Sequence, residues 1–113
     1  MFSDREQQRM RDIVENIEAA QSYISGLSVD DFCRSQMTID AVERCLQRIT
    51  EAVMKIGEER FALMAPDVSF HQVRGLGNRL RHEYDILDED VVYYTVTTSL
   101  PMLLSRCRAA LGE

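Results

Sequence analysis

Four stretches of this chain repeat apolar residues at every third or fourth position, and that spacing leaves few folds open. Met10, Ile13, Val14, Ile17 and Ile24 form one series, and Val42, Cys45, Leu46, Ile49, Val53 and Ile56 a second. Phe70, Val73, Leu76 and Leu80 form a third, and Val96, Leu100, Leu103, Leu104, Cys107 and Leu111 a fourth. A period near 3.6 gathers each series on one side of a helix, where it must be buried. Only five Gly and two Pro interrupt the 113 residues, which suits long helices better than many short strands.

The ends of these helices carry their own signals. Ser3 and Glu6 read as a capping box opening the first, and Gly26 closes it. Asp30 or Asp31 caps a short turn holding Phe32. Thr38 is the expected N-cap of the second helix, and Gly57 ends or kinks it. Pro66 makes the stretch through Met64–Asp67 a connector, because it disfavours a helical Ala65. Ser69 and Gln72 form another capping box, opening a third helix that is expected to reach Tyr84. Asp88, Glu89 and Asp90 place three carboxylates at the start of the fourth. Within it, Val91–Val96 alone would suit a strand and Pro101 should kink or split the helix, but a lone strand has no partner in this chain. The expected architecture is therefore all-α: an antiparallel four-helix bundle, one domain over residues 1–113.

Composition narrows the function. The net charge of −6 repels phosphate backbones over most of the surface, which argues against a general nucleic-acid coat and leaves room for one local basic site. Cys33, Cys45 and Cys107 are odd in number and form no CxxC pair, so reduced thiols and a cytoplasmic location are expected. No apolar run approaches the roughly 18 residues of a membrane span, and the polar start of the chain is unlike a secretory leader. No metal or cofactor is expected. Asp85, Asp88, Glu89 and Asp90 are explained as an acidic helix start, and His71 and His82 stand three helical turns apart.

The positive charge is concentrated in one place. From His71 to Tyr84 the chain reads HQVRGLGNRLRHEY, setting Arg74, Arg79, Arg81, His71 and His82 against the single acid Glu83. On an uninterrupted helix Asn78, Arg79 and His82 would be neighbours. Gly75 and Gly77 cost about 1 kcal/mol each in mid-helix relative to Ala, which implies the close approach of another helix or of a ligand. A solvated cationic face remains the plainer reading of the same residues.

The stretch RGLGNRLRHEYDILDEDVVYYTVTTSLPMLL resembles the signature of HepT-like proteins, a branch of the HEPN superfamily. Upstream, MTIDAVERCLQRITEAV is similar to the family's second conserved stretch, with Asp40–Arg44 and Glu51–Ala52 in the matching places. The likeness covers about residues 5 to 108. It implies a HEPN-like bundle that forms a homodimer and cleaves RNA without a metal, as the toxin of a toxin–antitoxin pair. It also implies a partner, a small nucleotidyltransferase antitoxin that transfers AMP to the motif tyrosine, here Tyr84. His82 and Asn78 would be the catalytic residues, with Arg74, Arg79 and Arg81 for RNA phosphates.

One departure bears on activity. The family's arginine falls at Gly77, so the chain reads G-N-R-L-R-H in place of R-N-x-x-x-H. Arg74 and Arg81 stand three residues before and four after, and either long side chain is in reach of the vacated space. If one fills it, the chain is an endoribonuclease; if neither does, it is a weakened or non-catalytic subunit that docks a nucleotidyltransferase through the same face. A purely structural acidic bundle is the third reading.

Overall fold

The computed structural model describes residues 1–82 and 87–113. Among them the chain is helical throughout: α1 (Asp4–Ile24), α2 (Val29–Cys33), α3 (Gln36–Ile56), α4 (Glu58–Met64), α5 (Phe70–Arg81), α6 (Glu89–Tyr94), a π-helical turn (Thr95–Ser99) and α7 (Leu100–Ala110). The helical bundle expected from the apolar spacing is what forms, with α1, α3, α5 and the α6–α7 run as its four main elements and α2 and α4 as short additions.

α1 packs along α3, which also carries α5, while α7 returns against α1. Met10, Ile13 and Ile17 of α1 meet Val42, Leu46, Ile49 and Val53 of α3 and Val96, Leu103 and Cys107 in one buried cluster. Phe32 and Phe61, from the two short helices, are sealed into the same core. Tyr93 ties α6 to the end of α1, its hydroxyl donating to the Leu27 carbonyl at 2.7 Å.

Several boundaries differ from the expectation, each for a local reason. The Ser3–Glu6 capping box is complete, with both reciprocal bonds made. α2 is capped by Ser28 and not by an aspartate; Asp31 instead sits three residues in and returns the reciprocal bond. α3 begins at Gln36 because Ser35 takes the N-cap position, and Thr38 supplies the N–H that Ser35 accepts. Gly57, at φ 88°, both ends α3 and starts α4, a helix absent from the sequence reading. Ala65 leaves the helical region before Pro66, as expected. At Ser69 only half of the box forms: its hydroxyl accepts from the Gln72 N–H.

Pro101 does not interrupt the last run, which stays helical from Glu89 to Ala110. The turn before it widens instead, so the Leu100 N–H bonds the Thr95 carbonyl five residues back. The Thr95 and Thr97 hydroxyls donate to the Val91 and Tyr93 carbonyls, within the loosened stretch. Between α5 and this run the bundle is not closed. An open groove of about 500 Å³ lies there, floored by Leu46, Ile49, Leu76 and Leu103 and bordered by Arg79 and Thr95.

Candidate functional site

α5 holds most of the residues that the sequence singled out. Its N-terminus is fixed by Ser69, and Phe70, Val73, Leu76 and Leu80 pack against the core. At the other end, Gln47 of α3 donates to the Leu80 carbonyl at 3.1 Å, taking up one of the acceptors a helix terminus leaves unsatisfied. The helix stops at Arg81. His82 is its C-cap, in extended conformation (φ −103°, ψ 113°), with its N–H on the Arg79 carbonyl. The expectation that one helix carries His82 on through Tyr84 is therefore corrected at His82: this residue follows the helix and does not share its face with Asn78. Tyr84, with Glu83 and Asp85, lies outside the described residues.

The two mid-helix glycines separate. Gly75 faces open space, with nothing within 4 Å of where a Cβ would stand, and it borders the groove. Gly77 is buried: a Cβ there would meet Thr50 Oγ1 at 2.9 Å and Thr50 Cβ at 3.0 Å. The close approach inferred from its presence is thus that of α3. Thr50 is itself buried, its hydroxyl donating to the Gln47 carbonyl at 3.0 Å.

Of the two arginines in reach of Gly77, Arg81 is the one that approaches. Its Nη1 lies 3.5 Å from the position of the missing Cβ. Its Nη2 donates to the Asn78 Oδ1, which fixes the guanidinium on the exposed side of the helix end. Arg74 folds back in the same sense, which carries it away from Gly77. Its Nη2 bonds the His71 Nδ1 at 2.6 Å, and its guanidinium lies over the Phe70 ring at 5.8 Å from the centroid. A guanidinium only donates, so His71 Nδ1 is the acceptor and the ring carries its proton on Nε2. That nitrogen faces Glu58 Oε2 of α4 at 3.0 Å.

These partners matter for charge. Arg9, Arg34, Arg60, Arg106 and Arg108 each meet a carboxylate directly. Among the described residues Arg74 and Arg81 are held instead by an imidazole and an amide, both neutral acceptors. Arg79 is exposed on the groove edge, and His82 is exposed beyond the helix end. Among the described residues the Arg74 and Arg81 guanidinium groups of α5 are thus oriented without a carboxylate partner, in a protein of net charge −6. Such groups recognise phosphate through charge-assisted hydrogen bonds.

No metal cluster accompanies them: among the described residues no three His, Cys, Asp or Glu side chains converge as ligands would. Asp88 is the N-cap of α6, with Glu89 and Asp90 in its first turn. Cys45 and Cys107 are buried and Cys33 is exposed, all as free thiols. No helix among the described residues is long and apolar enough to cross a membrane. The sequence reading missed Thr50 and Gln47, which set the depth and the end of α5; neither has a local signature, since both act from a different helix.

Fold and site together define a class: a small helical bundle that displays an arginine- and histidine-bearing helix. Comparison places the chain within it. Residues 13–110 match the profile of the ribonuclease HepT-like family, and the chain belongs to that family. It is 29% identical over 94 residues to a protein of Thermococcus cleftensis assigned as a ribonuclease HepT, covering 83% of this chain and 84% of that one. It is 28% identical over 90 residues to a protein of Methanocaldococcus jannaschii assigned as an RNase, covering 80% and 74%. A third relative, from Caldanaerobacter subterraneus subsp. tengcongensis and also assigned as an RNase, is 25% identical over 101 residues, covering 89% of each chain. No solved structure matches the chain significantly.

Proposed function

We propose that this protein is a metal-independent endoribonuclease of the HepT-like type, acting as a homodimeric toxin. The observation that carries the reading is Arg81: oriented by Asn78, it stands over Gly77, where the family's arginine would otherwise be. Membership of a ribonuclease family supports the substrate class.

The chemistry follows from the residue types. The ribose 2′-hydroxyl attacks the adjacent phosphorus, and a neutral His82 takes its proton. The bond from phosphorus to the 5′ oxygen breaks, and a charged His82 of the second subunit returns a proton to that oxygen. The products are a 2′,3′-cyclic phosphate and a 5′-hydroxyl end, with protons balanced. Arg81 binds the non-bridging oxygens as negative charge grows on them, and Arg79 at the groove edge holds a neighbouring phosphate. Pairing two helix ends across a dimer gives so small a domain both an acid and a base.

Control falls to a nucleotidyltransferase antitoxin. It would transfer AMP from ATP to the Tyr84 hydroxyl, releasing pyrophosphate and placing a bulky anion two residues from His82. Electrostatic repulsion of the substrate phosphate would then silence the site. In the second reading the chain is a non-catalytic subunit docking that enzyme. Gly77 favours it, because the family arginine is absent.

Incubation of the purified protein with RNA in the presence of a chelator decides between the two. Cleavage lost in His82→Ala, and reduced about 10²–10³-fold in Arg81→Ala, supports the enzyme. Equal cleavage by His82→Ala and wild type removes the catalytic assignment. Mass spectrometry of protein co-expressed with a nucleotidyltransferase encoded beside it reads the modification: one AMP on Tyr84 is expected, and an unmodified tyrosine rejects that part.

A further inference from the structure

α5 carries the same arrangement twice. A neutral acceptor at one position holds an arginine three residues later: His71 with Arg74, and Asn78 with Arg81. The two units are seven residues apart, two helical turns, so they share a face and stand about 10 Å apart along the axis. Arg11 with Gln8 and Arg44 with Gln47 also pair with neutral side chains, but each stands alone on its helix. About 10 Å exceeds the reach of one phosphate group and matches backbone phosphates one or two nucleotides apart in a single strand.

We propose that His71–Arg74 is a second phosphate subsite, which takes a backbone phosphate of single-stranded RNA one or two nucleotides away from the phosphate held at Asn78–Arg81. The proposal rests on the reading of α5 as the RNA-facing helix. Arg74 is oriented from two sides, by the imidazole at 2.6 Å and by the Phe70 ring beneath it. Preorganisation of this kind lowers the entropy lost on binding. Both residues of the pair lie on the exposed surface, and Arg74 supplies the donors.

Glu58 gives the subsite its particular character. Its carboxylate, 3.0 Å from His71 Nε2, fixes the imidazole so that Nδ1 accepts from Arg74. The same carboxylate sets a negative charge behind the pair, whereas among the described residues no carboxylate bonds Asn78 or Arg81. The subsite is therefore the weaker of the two. It adds affinity for longer strands and leaves the primary phosphate to Arg81. A minimum substrate length follows: a dinucleotide engages only the primary unit, and a strand of about six nucleotides engages both.

The test is binding of 2′-O-methyl oligoribonucleotides, which lack the attacking hydroxyl, measured by fluorescence anisotropy on the full chain. Wild type should bind a hexanucleotide more tightly than a dinucleotide. Arg74→Ala should lose that gain, about fivefold or more, and lower the dependence of log affinity on log salt by about 0.7, while leaving dinucleotide binding unchanged. Arg74→Gln, which keeps a donor for His71 without the charge, should behave alike and guards against a folding artefact. Glu58→Gln should tighten hexanucleotide binding, since it removes the opposing charge. Arg81→Ala should weaken both lengths.

Hexanucleotide affinity and salt slope equal to wild type in both Arg74 variants would overturn the subsite. That failure is separable from failure of the nuclease reading. Unimpaired cleavage by His82→Ala removes the nuclease and leaves the anisotropy result standing, whereas a wild type that binds no oligonucleotide of any length removes both.

Discussion

Thr50 Oγ1 stands 2.9 Å from where a Cβ on Gly77 would lie, so α3 occupies the ground that any side chain at position 77 must enter. Thr50 is buried and its hydroxyl is engaged by the Gln47 carbonyl, so it has little freedom to give way. Gly77→Ala should gain about 1 kcal/mol in helix propensity and lose about 1–3 kcal/mol to overpacking, a net destabilisation of about 1 kcal/mol. In a Thr50→Ala background the hydroxyl contact is gone and only the Cβ contact at 3.0 Å remains, so the same substitution should cost less than in wild type. Chemical denaturation of the four proteins gives the cycle; strictly additive effects would mean that the contact carries no energy. The same contact bears on restoring the family's arginine. Gly77→Arg alone meets Thr50 with its Cβ, so a gain in cleavage is expected only when Thr50 is shortened as well.

The bundle was readable because it rests on local periodicity: the series through Ile13, Ile49 and Leu103 is buried as its spacing requires. Helix starts were partly readable. Ser3 with Glu6 stands alone as a capping pair, whereas Ser28, Asp30 and Asp31 are all good caps, and backbone geometry chooses among them. α4 was missed because seven residues with only Phe61 and Met64 facing inward make too short a pattern to register. The end of α5 was placed too late for another reason. The Leu80 carbonyl is taken by Gln47, thirty-three residues earlier, and no local pattern announces a long-range partner. Pro101 was noticed, but its consequence depends on threonine hydroxyls that bond back along the helix while the turn widens. Of the candidate site, the positive charge of α5 was legible, and spacing put either Arg74 or Arg81 in reach of Gly77 without choosing Arg81. The division of Arg74 and Arg81 between two neutral acceptors was not, because rotamers decide it.

Acid should weaken the junction between α1 and α4. Arg60 hydrogen-bonds the Glu6 carboxylate at 2.8 Å, and with the Ser3 N–H it holds that carboxyl at about 2, below the ordinary 4.5. A carboxyl depressed in the folded state adds stability that is fully present above the unfolded value and is lost as pH falls through the folded one. Glu6→Gln keeps a capping side chain without the charge. It should be less stable than wild type at pH 7, and the gap should close between about pH 4.5 and about pH 2. Urea midpoints taken across that range measure it, and a gap that does not change with pH would show that the ion pair adds nothing.

The thiols should differ in their response to alkylation. Burial pushes Cys107 up to about 12 and also raises Cys45, so neither forms thiolate at neutral pH in the folded state. Cys33 is exposed, but desolvation and the nearby Asp90 carboxylate raise it too. Iodoacetamide at pH 7.5 should therefore label Cys33 slowly and first, and the two core cysteines only on unfolding. Asp90→Asn should speed the labelling of Cys33. Peptide mapping reads all three sites, and rapid native labelling of Cys107 would contradict the packing of α7 against α1.

Asn78→Asp isolates the role of charge at the helix end. The substitution barely changes shape, and the new carboxylate accepts from Arg81 where the amide oxygen did. Orientation is kept, while the guanidinium is neutralised in place, as it is at Arg106 with Asp67. Folding should change little, since exposed ion pairs contribute about 0–1 kcal/mol. RNA cleavage should fall about tenfold or more, and the salt dependence of single-strand binding should drop by about 0.7. Asn78→Ala separates the alternatives, because it frees Arg81 but leaves its charge. If the availability of that charge matters most, Ala is the milder change and Asp the harsher one; if Asn78 acts only by orienting Arg81, the order reverses.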